Sequence, residues 1–471
     1  MACLALLPLA VCLHAQKAAS GPDARLDRQF QAAVAQYESG RLADAATALE
    51  TLLHEVPESF DVHELLGLVY SAQSQDAEAT AHLEKAVRLK PDSASARMNL
   101  AINLVQLGKL QPAEREFKKA LELEPQNYDA NHNLGELYVR AGKVAAATSY
   151  LQQAQRIKPD SYGNGYDLAL AYIVTARLAD AHQLLQRLLK QKDSAELHNL
   201  LGEVEEKDGK FVAAANEYEL AAHLDPSESN LFDWGSELLL HRTLDPAIQV
   251  FQTAAERYPN SPRVAIGLGI AYYSRGNYDD AVKSLLKAAD LAPADPRVYP
   301  FLSRAYDSSP SQADEVIARF RRFAEQQPNN GRAQYYYAMS LWKGKRAQEP
   351  NLDLTQISAL LKKSIALDPS LAEAHLQLGN LYSEQQKYAD SIPEYQRALE
   401  LNSDLADAHY RLGQAYVRTG EKDLAQEQFQ VYQKLREQHL ADLDKQRAEV
   451  RQFVYAAKDA STGRDASASK P

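Results

Sequence analysis

Cysteine is almost missing from this chain. Cys3 and Cys12 are the only two, and both lie within the first dozen residues. Beyond them there can be no disulfide, no thiolate nucleophile and no cysteine-bound metal. Long apolar runs are missing too: after the N-terminus none approaches the ~20 residues that span a bilayer. A basic surplus is also lacking. The formal net charge is −11, whereas nucleic-acid binders carry a positive face, so no nucleic-acid partner is expected. Catalytic signatures are lacking as well, with no HExxH, no nucleophile elbow and no phosphate loop. The expectation is a chain with no cofactor, no metal and no catalytic site of its own. An apolar share of 45% against 24% charged residues still fits a folded protein rather than a disordered one.

The N-terminal MACLALLPLAVCLHAQ is an apolar segment of signal-peptide length ending at Ala15-Gln16. It has no Lys or Arg ahead of its apolar core, and Leu13 is bulky where a small residue is preferred. Residues 1–15 are expected to be an export signal, which makes the mature chain cysteine-free and secreted or periplasmic, in a bacterial setting. Two alternatives stand beside it. One is an unstructured apolar start on a cytosolic protein. The other is a lipid anchor on Cys12, because Leu9-Ala10-Val11-Cys12 resembles a lipobox with Val11 in the small-residue place.

What the chain does have is a beat. Prolines recur at Pro57, Pro91, Pro125 and Pro159, then at Pro226, Pro259, Pro293, Pro328 and Pro369. The first four are spaced by 34 residues. Small residues keep the same time at Ala33, Gly67, Ala101, Gly135, Ala169, Gly202, Gly235, Gly269, Ala338, Gly379 and Gly413. Twelve residues after most of them comes another small one, as at Ala79 and Ala147, and four later a large apolar one, as at Leu83, Leu151, Tyr218 and Phe251. Within a unit the apolar residues fall at helical i, i+3, i+4, i+7 spacing over two segments. A polar break separates them, often with glycine: Gly40, Gly108, Gly142, Gly209, Gly276 and Gly420. Proline then stops the second helix, having no N–H to donate. Each unit reads as an antiparallel helix pair that buries its apolar face only by stacking on its neighbours.

Asn133-Leu-Gly-Glu-Leu-Tyr138 with Ala147, Leu151, Ala154 and Pro159 resembles the tetratricopeptide repeat signature, as does Gly269-Ile-Ala-Tyr272 with Ala281, Leu285, Ala288 and Pro293. The resemblance extends over about twelve units in residues 26–437. It implies an all-α fold, a right-handed superhelical solenoid whose first helices line a concave groove for protein partners. Residues 16–25 read as a linker. Residues 438–460 continue the last helix as an amphipathic extension through Leu440, Leu443, Val450, Phe453 and Ala457, to cover the open end of the array or meet a partner. Residues 461–471 read as a disordered tail.

Residues that could suggest chemistry are periodic. His63, His198, His375 and His409 share one slot, four residues before the small one. Tyr70, Tyr138, Tyr172, Tyr272, Tyr382 and Tyr416 share another. Gly267-Leu-Gly269 falls inside a repeat helix, not after a strand, so it is not a dinucleotide fingerprint. Two specialisations of the family are not matched. There is no room for a glycosyltransferase domain after Glu437, and the Lys/Asn clamp for chaperone tails is absent around Asn99 and Asn133.

The family register also assigns groove slots. Early units give a mixed set: Asp61, Glu64, Leu68, Ser95, Met98, Ile102, Asp129, His132, Glu136 and Arg140. Middle units are more apolar: Tyr166, Leu170, Ile173, Phe232, Leu239, Ile266, Ile270 and Tyr273. They form either an open groove or contacts between tightly wound repeats. In Gln334-Tyr-Tyr-Tyr-Ala-Met-Ser-Leu-Trp342, Tyr335, Met339 and Trp342 fall on groove slots and Tyr337 on a core slot. Arg319, Arg321, Arg322, Arg332, Lys343, Lys345 and Arg346 surround them, a solvated cluster or an acceptor for an acidic segment. The expected partner contacts are Tyr166, Leu170, Phe232, Ile266, Ile270, Tyr273, Tyr335, Met339 and Trp342. The expected function is a non-catalytic scaffold in envelope assembly or secretion. The alternative is a substrate-recruiting subunit beside a separate modifying enzyme, for example of a glycosyltransferase or polysaccharide system.

Overall fold

A computed structural model describes residues 22–309, 311–346 and 354–437, with Ala448, Arg451 and Val454 beyond them. Side chains are described for all of these except residues 22, 23, 345 and 346. The expected signal, Cys3, Cys12 and the tail from residue 461 lie outside this set. Every regular element among the described residues is a helix, and there are 24.

The chain divides after Asp193 into two compact units. The first contains α1 (Pro22–Glu38), α2 (Leu42–Glu55), α3 (Phe60–Ala72), α4 (Asp76–Leu89) and α5 (Ala94–Gln106). It continues with α6 (Leu110–Leu123), α7 (Tyr128–Arg140), α8 (Val144–Ile157), α9 (Tyr162–Val174) and α10 (Leu178–Gln191). The second opens with α11 (Ala195–Lys207), α12 (Phe211–Leu224), α13 (Glu228–Leu240), α14 (Leu244–Arg257) and α15 (Pro262–Arg275). Next come α16 (Tyr278–Leu291), α17 (Val298–Ser308), α18 (Ala313–Gln326), α19 (Gly331–Arg346) and α20 (Thr355–Leu367). It closes with α21 (Ala372–Glu384), α22 (Tyr388–Leu401), α23 (Ala406–Thr419) and α24 (Lys422–Glu437). Each unit is thus an all-α solenoid of helix pairs. Helix α1 begins at Pro22, four residues ahead of the boundary expected from the repeat, with proline in the position where its missing N–H does no harm.

Local chemistry sets the helix ends. A Ser or Asn two residues after the proline caps the next helix. Ser59 Oγ accepts from the Val62 N–H at 3.4 Å, Ser93 from Ala96 at 3.2 Å and Asn127 Oδ1 from Ala130 at 3.0 Å. The first helix then ends in a left-handed residue. All six predicted glycines take this role, with φ between +70° and +93°. Ser74, Ala176, Arg242 and Gln386 adopt the same conformation without glycine's freedom.

Packing explains the small-residue beat. A Cβ on Gly135 would meet Leu151 Cδ2 at 2.6 Å, and one on Gly379 would meet Tyr395 Cε1 at 2.7 Å. The small slot lets the first helix approach the bulky residue of the second, and that contact recurs from pair to pair. The histidine slot is structural as well. His63 and His409 meet the carbonyls of Pro57 and Ser403 through Nε2, each at 3.1 Å. Through Nδ1, His63, His198, His375 and His409 meet His82, Glu217, Glu394 and Gln428 on the second helix, at 2.6 to 2.9 Å. Arg97 fills the same slot, donating to Pro91 O at 2.9 Å and pairing with Glu116 at 2.6 Å.

The beat fails at two neighbouring pairs. Helix α17 ends at Ser308, Gln312 is left-handed, and α18 follows at once. Helix α19 runs on to Arg346, into the stretch 343–353 where the sequence exceeds the repeat length, and residues 347–353 lie outside the described set.

Candidate partner-binding faces

Successive first helices touch one another: α3, α5, α7 and α9 in the first unit, and α13, α15, α17 and α19 in the second. Among the second helices only α16 and α18 approach comparably. The first helices therefore form the closer, inner layer of each unit, and their outward slots form one continuous face.

In the first unit that face is polar and half-open. Asn99 and Ser95 on α5 donate to Glu64 Oε1 on α3, at 3.2 and 2.9 Å. Burial raises the Glu64 carboxyl, and these hydrogen bonds oppose the rise. On α7 and α9 stands a tighter group. His132, Glu136 and Asp167 each offer a ligand atom within 4.8 Å of the others, the only such trio among the described residues. The imidazole is oriented from behind. Asn164, fully buried, donates through Nδ2 to Leu151 O at 2.9 Å and to Gln155 Oε1 at 2.7 Å. Its Oδ1 is therefore the atom that meets His132 Nδ1 at 3.1 Å, so Nδ1 carries the proton and donates. His132 Nε2 lies on the Glu136 side, 3.9 Å from Oε1. Burial, then the Glu136 charge, push the Asp167 carboxyl up to about 6. The trio can hold one cation, whether a metal ion or a basic side chain. Tyr166 and Leu170, on the same side of α9, are half-buried.

On α13 and α15 of the second unit the face is mostly apolar and closed. Phe232, Ile266 and Ile270 are fully buried, and Leu239 nearly so. Tyr273 is half-buried against the same cluster. Helix α13 also carries Asp233 and Glu237, both buried, then His241 at its end, 3.3 Å from Glu237. Of the two arrangements open to these slots, burial matches packed contacts for Phe232, Ile266 and Ile270.

The aromatic stretch on α19 divides among several roles. Trp342 is buried in a cluster with Leu361, Leu378 and Leu381. Tyr335 and Met339 are half-buried at the edge of that cluster, and burial raises the Tyr335 hydroxyl. Tyr336 packs on Phe320 with ring centroids 5.7 Å apart. Tyr337, expected in the core, is half-buried. Part of the basic cluster is paired within the chain. Arg319 and Arg322 pair with Asp290 at 2.9 and 3.0 Å, and Lys343 with Asp307 at 3.2 Å. The side chains of Lys345 and Arg346 lie outside the described residues.

One feature of this face had only a partial signal in the sequence. Val454 is helical, 0% exposed and part of the cluster that contains Phe232, Ile266 and Ile270. The apolar spacing of residues 440–457 marks an amphipathic segment but does not say where it docks.

Comparison with known proteins agrees with this architecture. Tetratricopeptide repeat profiles match residues 30–94, 104–163, 139–204, 238–305 and 406–439, and a TPR repeat profile matches 379–420. Together they span more than half of the chain. Anaphase-promoting complex subunit 3 of Schizosaccharomyces pombe (strain 972 / ATCC 24843) is 26% identical over 203 residues, 42% of this chain and 29% of that protein. The chain thus matches less than a third of that relative's length. Among solved structures, Naa15/Naa10 bound to HypK-THB aligns with a TM-score of 0.40 and 18% identity, covering 86% of this chain and 68% of that one. YrrB, a TPR protein with an unusual peptide-binding site, aligns at 0.34 and 22% identity, over 39% of this chain and 94% of that one. Helix pairs, small-residue contacts and profile matches agree: the chain belongs to the tetratricopeptide repeat family.

Proposed function

We propose that the protein is a non-catalytic interaction scaffold, acting in envelope assembly or secretion, whose first-helix faces bind segments of partner proteins. The observation that carries this reading is the seam on α7 and α9, where Glu136 and Asp167 share one site beside His132. Two carboxylates so close repel each other, and the raised Asp167 carboxyl reflects burial first and that repulsion second. A Lys or Arg from a partner would supply the missing charge, with its aliphatic stem along Tyr166 and Leu170. Tyr273, Tyr335 and Met339 keep enough exposure to extend the contact set within the second unit.

The test is site-specific photocrosslinking in the producing cells. A crosslinker at Leu170 is expected to capture a defined partner, and the adduct should weaken when Asp167→Asn and Glu136→Gln are combined. Val212 on α12, 78% exposed, is the control position. The same adducts at both positions, or none at Leu170, would sink the proposal.

A further inference from the structure

The first-helix face of the second unit already holds a helical residue from elsewhere in the chain. Val454 is fully buried in the cluster built by α12 to α19, while Ala448 and Arg451, also helical, are exposed. Val454 thus faces the cluster, while Ala448 and Arg451 face away from it. A helix that only covered the end of the array would bury its apolar residues among Leu376, Tyr395, Leu412 and Phe429, the cluster of α21 to α24. Val454 does not belong to that cluster.

Sequence spacing places Val454 in a longer stripe. Leu440, Leu443, Val450, Val454 and Ala457 fall three, four or seven residues apart, which puts them in register on one stripe of a helix. One electrostatic effect sets Arg451 beside the end of α13. Arg451 lies close enough to His241 for its charge to act on the ring. Burial holds that imidazole low, with Glu206 opposing and Arg451 adding to the fall.

We propose that residues 438–460 are an intramolecular occupant of this face, holding the place of a partner helix of the same chemistry: an apolar stripe at helical spacing with a basic flank. The proposal rests on the first-helix faces being the binding surfaces, and it adds which ligand class the second unit takes. A partner must displace the segment, so the free face is scarce until a competitor arrives.

The experiment uses the full chain and a labelled synthetic peptide of residues 438–460. By fluorescence anisotropy the peptide should bind the Val454→Asp protein at least ten-fold more tightly than the unsubstituted protein, whose face is filled. A peptide carrying V454D should bind neither. Arg451→Glu, at an exposed residue, should move the affinity in the same direction without touching the core, which guards against misfolding of the first variant. Far-UV circular dichroism verifies that both variants keep their helicity. Equal affinity for all three proteins, or binding to none with helicity intact, would overturn the proposal. So would a dimer that becomes a monomer in the Val454→Asp protein, because the segment would then be exchanged between copies. Partner capture at Leu170 lies in the other unit, so its outcome and this one are independent.

Discussion

Gly67 on α3 and Leu83 on α4 approach so closely that a Cβ on the glycine would stand 2.5 Å from the leucine Cγ. They are sixteen residues apart, and the same pairing recurs at Gly202 with Tyr218 and Gly269 with Leu285. Gly67→Ala gains roughly 1 kcal/mol of helix propensity. It loses more to the clash, because Leu83 is fully buried and has little room to turn. The expected result is net destabilisation of about 1 kcal/mol. In a Leu83→Ala background the clash is gone and Gly67→Ala should stabilise, giving a coupling on the order of 1–2 kcal/mol in a double-mutant cycle read by urea denaturation.

Contacts of this kind were legible because they repeat. Ala33, Gly67, Ala101 and their successors mark one slot, Leu49, Leu83 and Phe117 another, and steric fit links the two. The caps keep the same beat, since Ser59, Ser93, Asn127 and Ser161 each follow a proline by two residues, although they were not among the residues singled out from the sequence. Other contacts left no periodic trace. Asp290 meets Arg319 and Arg322 from 29 and 32 residues away. The sequence displays the cations clustered and does not reveal their counter-ion. The trio of His132, Glu136 and Asp167 depends on the offset between α7 and α9. Val454 is the extreme case: the amphipathic spacing read in its segment ran through Phe453 instead, and a repeat array offers many similar faces among which spacing alone does not choose.

Ala176 closes α9 at φ +55°, in the turn where Gly40, Gly108 and Gly142 stand in other pairs. A Cβ in that conformation costs roughly 1–2 kcal/mol. Part of this returns as the larger freedom a glycine has in the unfolded chain. Ala176→Gly should therefore raise stability by about 0.5–1 kcal/mol, and Arg242→Gly, at φ +59°, should do the same in the second unit. Thermal denaturation of each variant checks this. A fall in both would mean that these side chains make contacts worth more than the strain.

Asp167 makes stability depend on pH with a definite sign. Its carboxyl is raised to about 6 in the folded chain, above the ordinary value of 3.8. The folded state thus holds its proton more tightly, which contributes stability below about pH 4. That contribution fades as pH rises through 6. Asp167→Asn keeps the neutral form at every pH. It should be nearly neutral in stability at pH 4 and stabilising by on the order of 1–2 kcal/mol at pH 7.5. Urea denaturation at the two pH values reads the difference, and Glu136→Gln should lower the Asp167 pKa by removing the neighbouring charge. A pH-independent effect of Asp167→Asn would show that the carboxyl titrates normally.

Tyr306 ends on a buried hydroxyl with no hydrogen-bond partner among the described residues. Its oxygen would come within 2.9 Å of a Cβ on Gly344, so α17 and α19 leave it no room to turn toward water. Burial pushes its pKa up to about 12. Tyr299, on the same helix, is the contrast. It too is buried and raised to about 12, yet its hydroxyl donates to Pro293 O at 2.6 Å. An unsatisfied buried hydroxyl costs roughly 1–3 kcal/mol, whereas a satisfied one contributes about 1 kcal/mol. Phenylalanine keeps the ring and its packing in both places. Tyr306→Phe should therefore be neutral or stabilising by about 1 kcal/mol, and Tyr299→Phe destabilising by about 1 kcal/mol as the Pro293 carbonyl loses its donor. Equal losses in both would mean that Tyr306 has a partner after all.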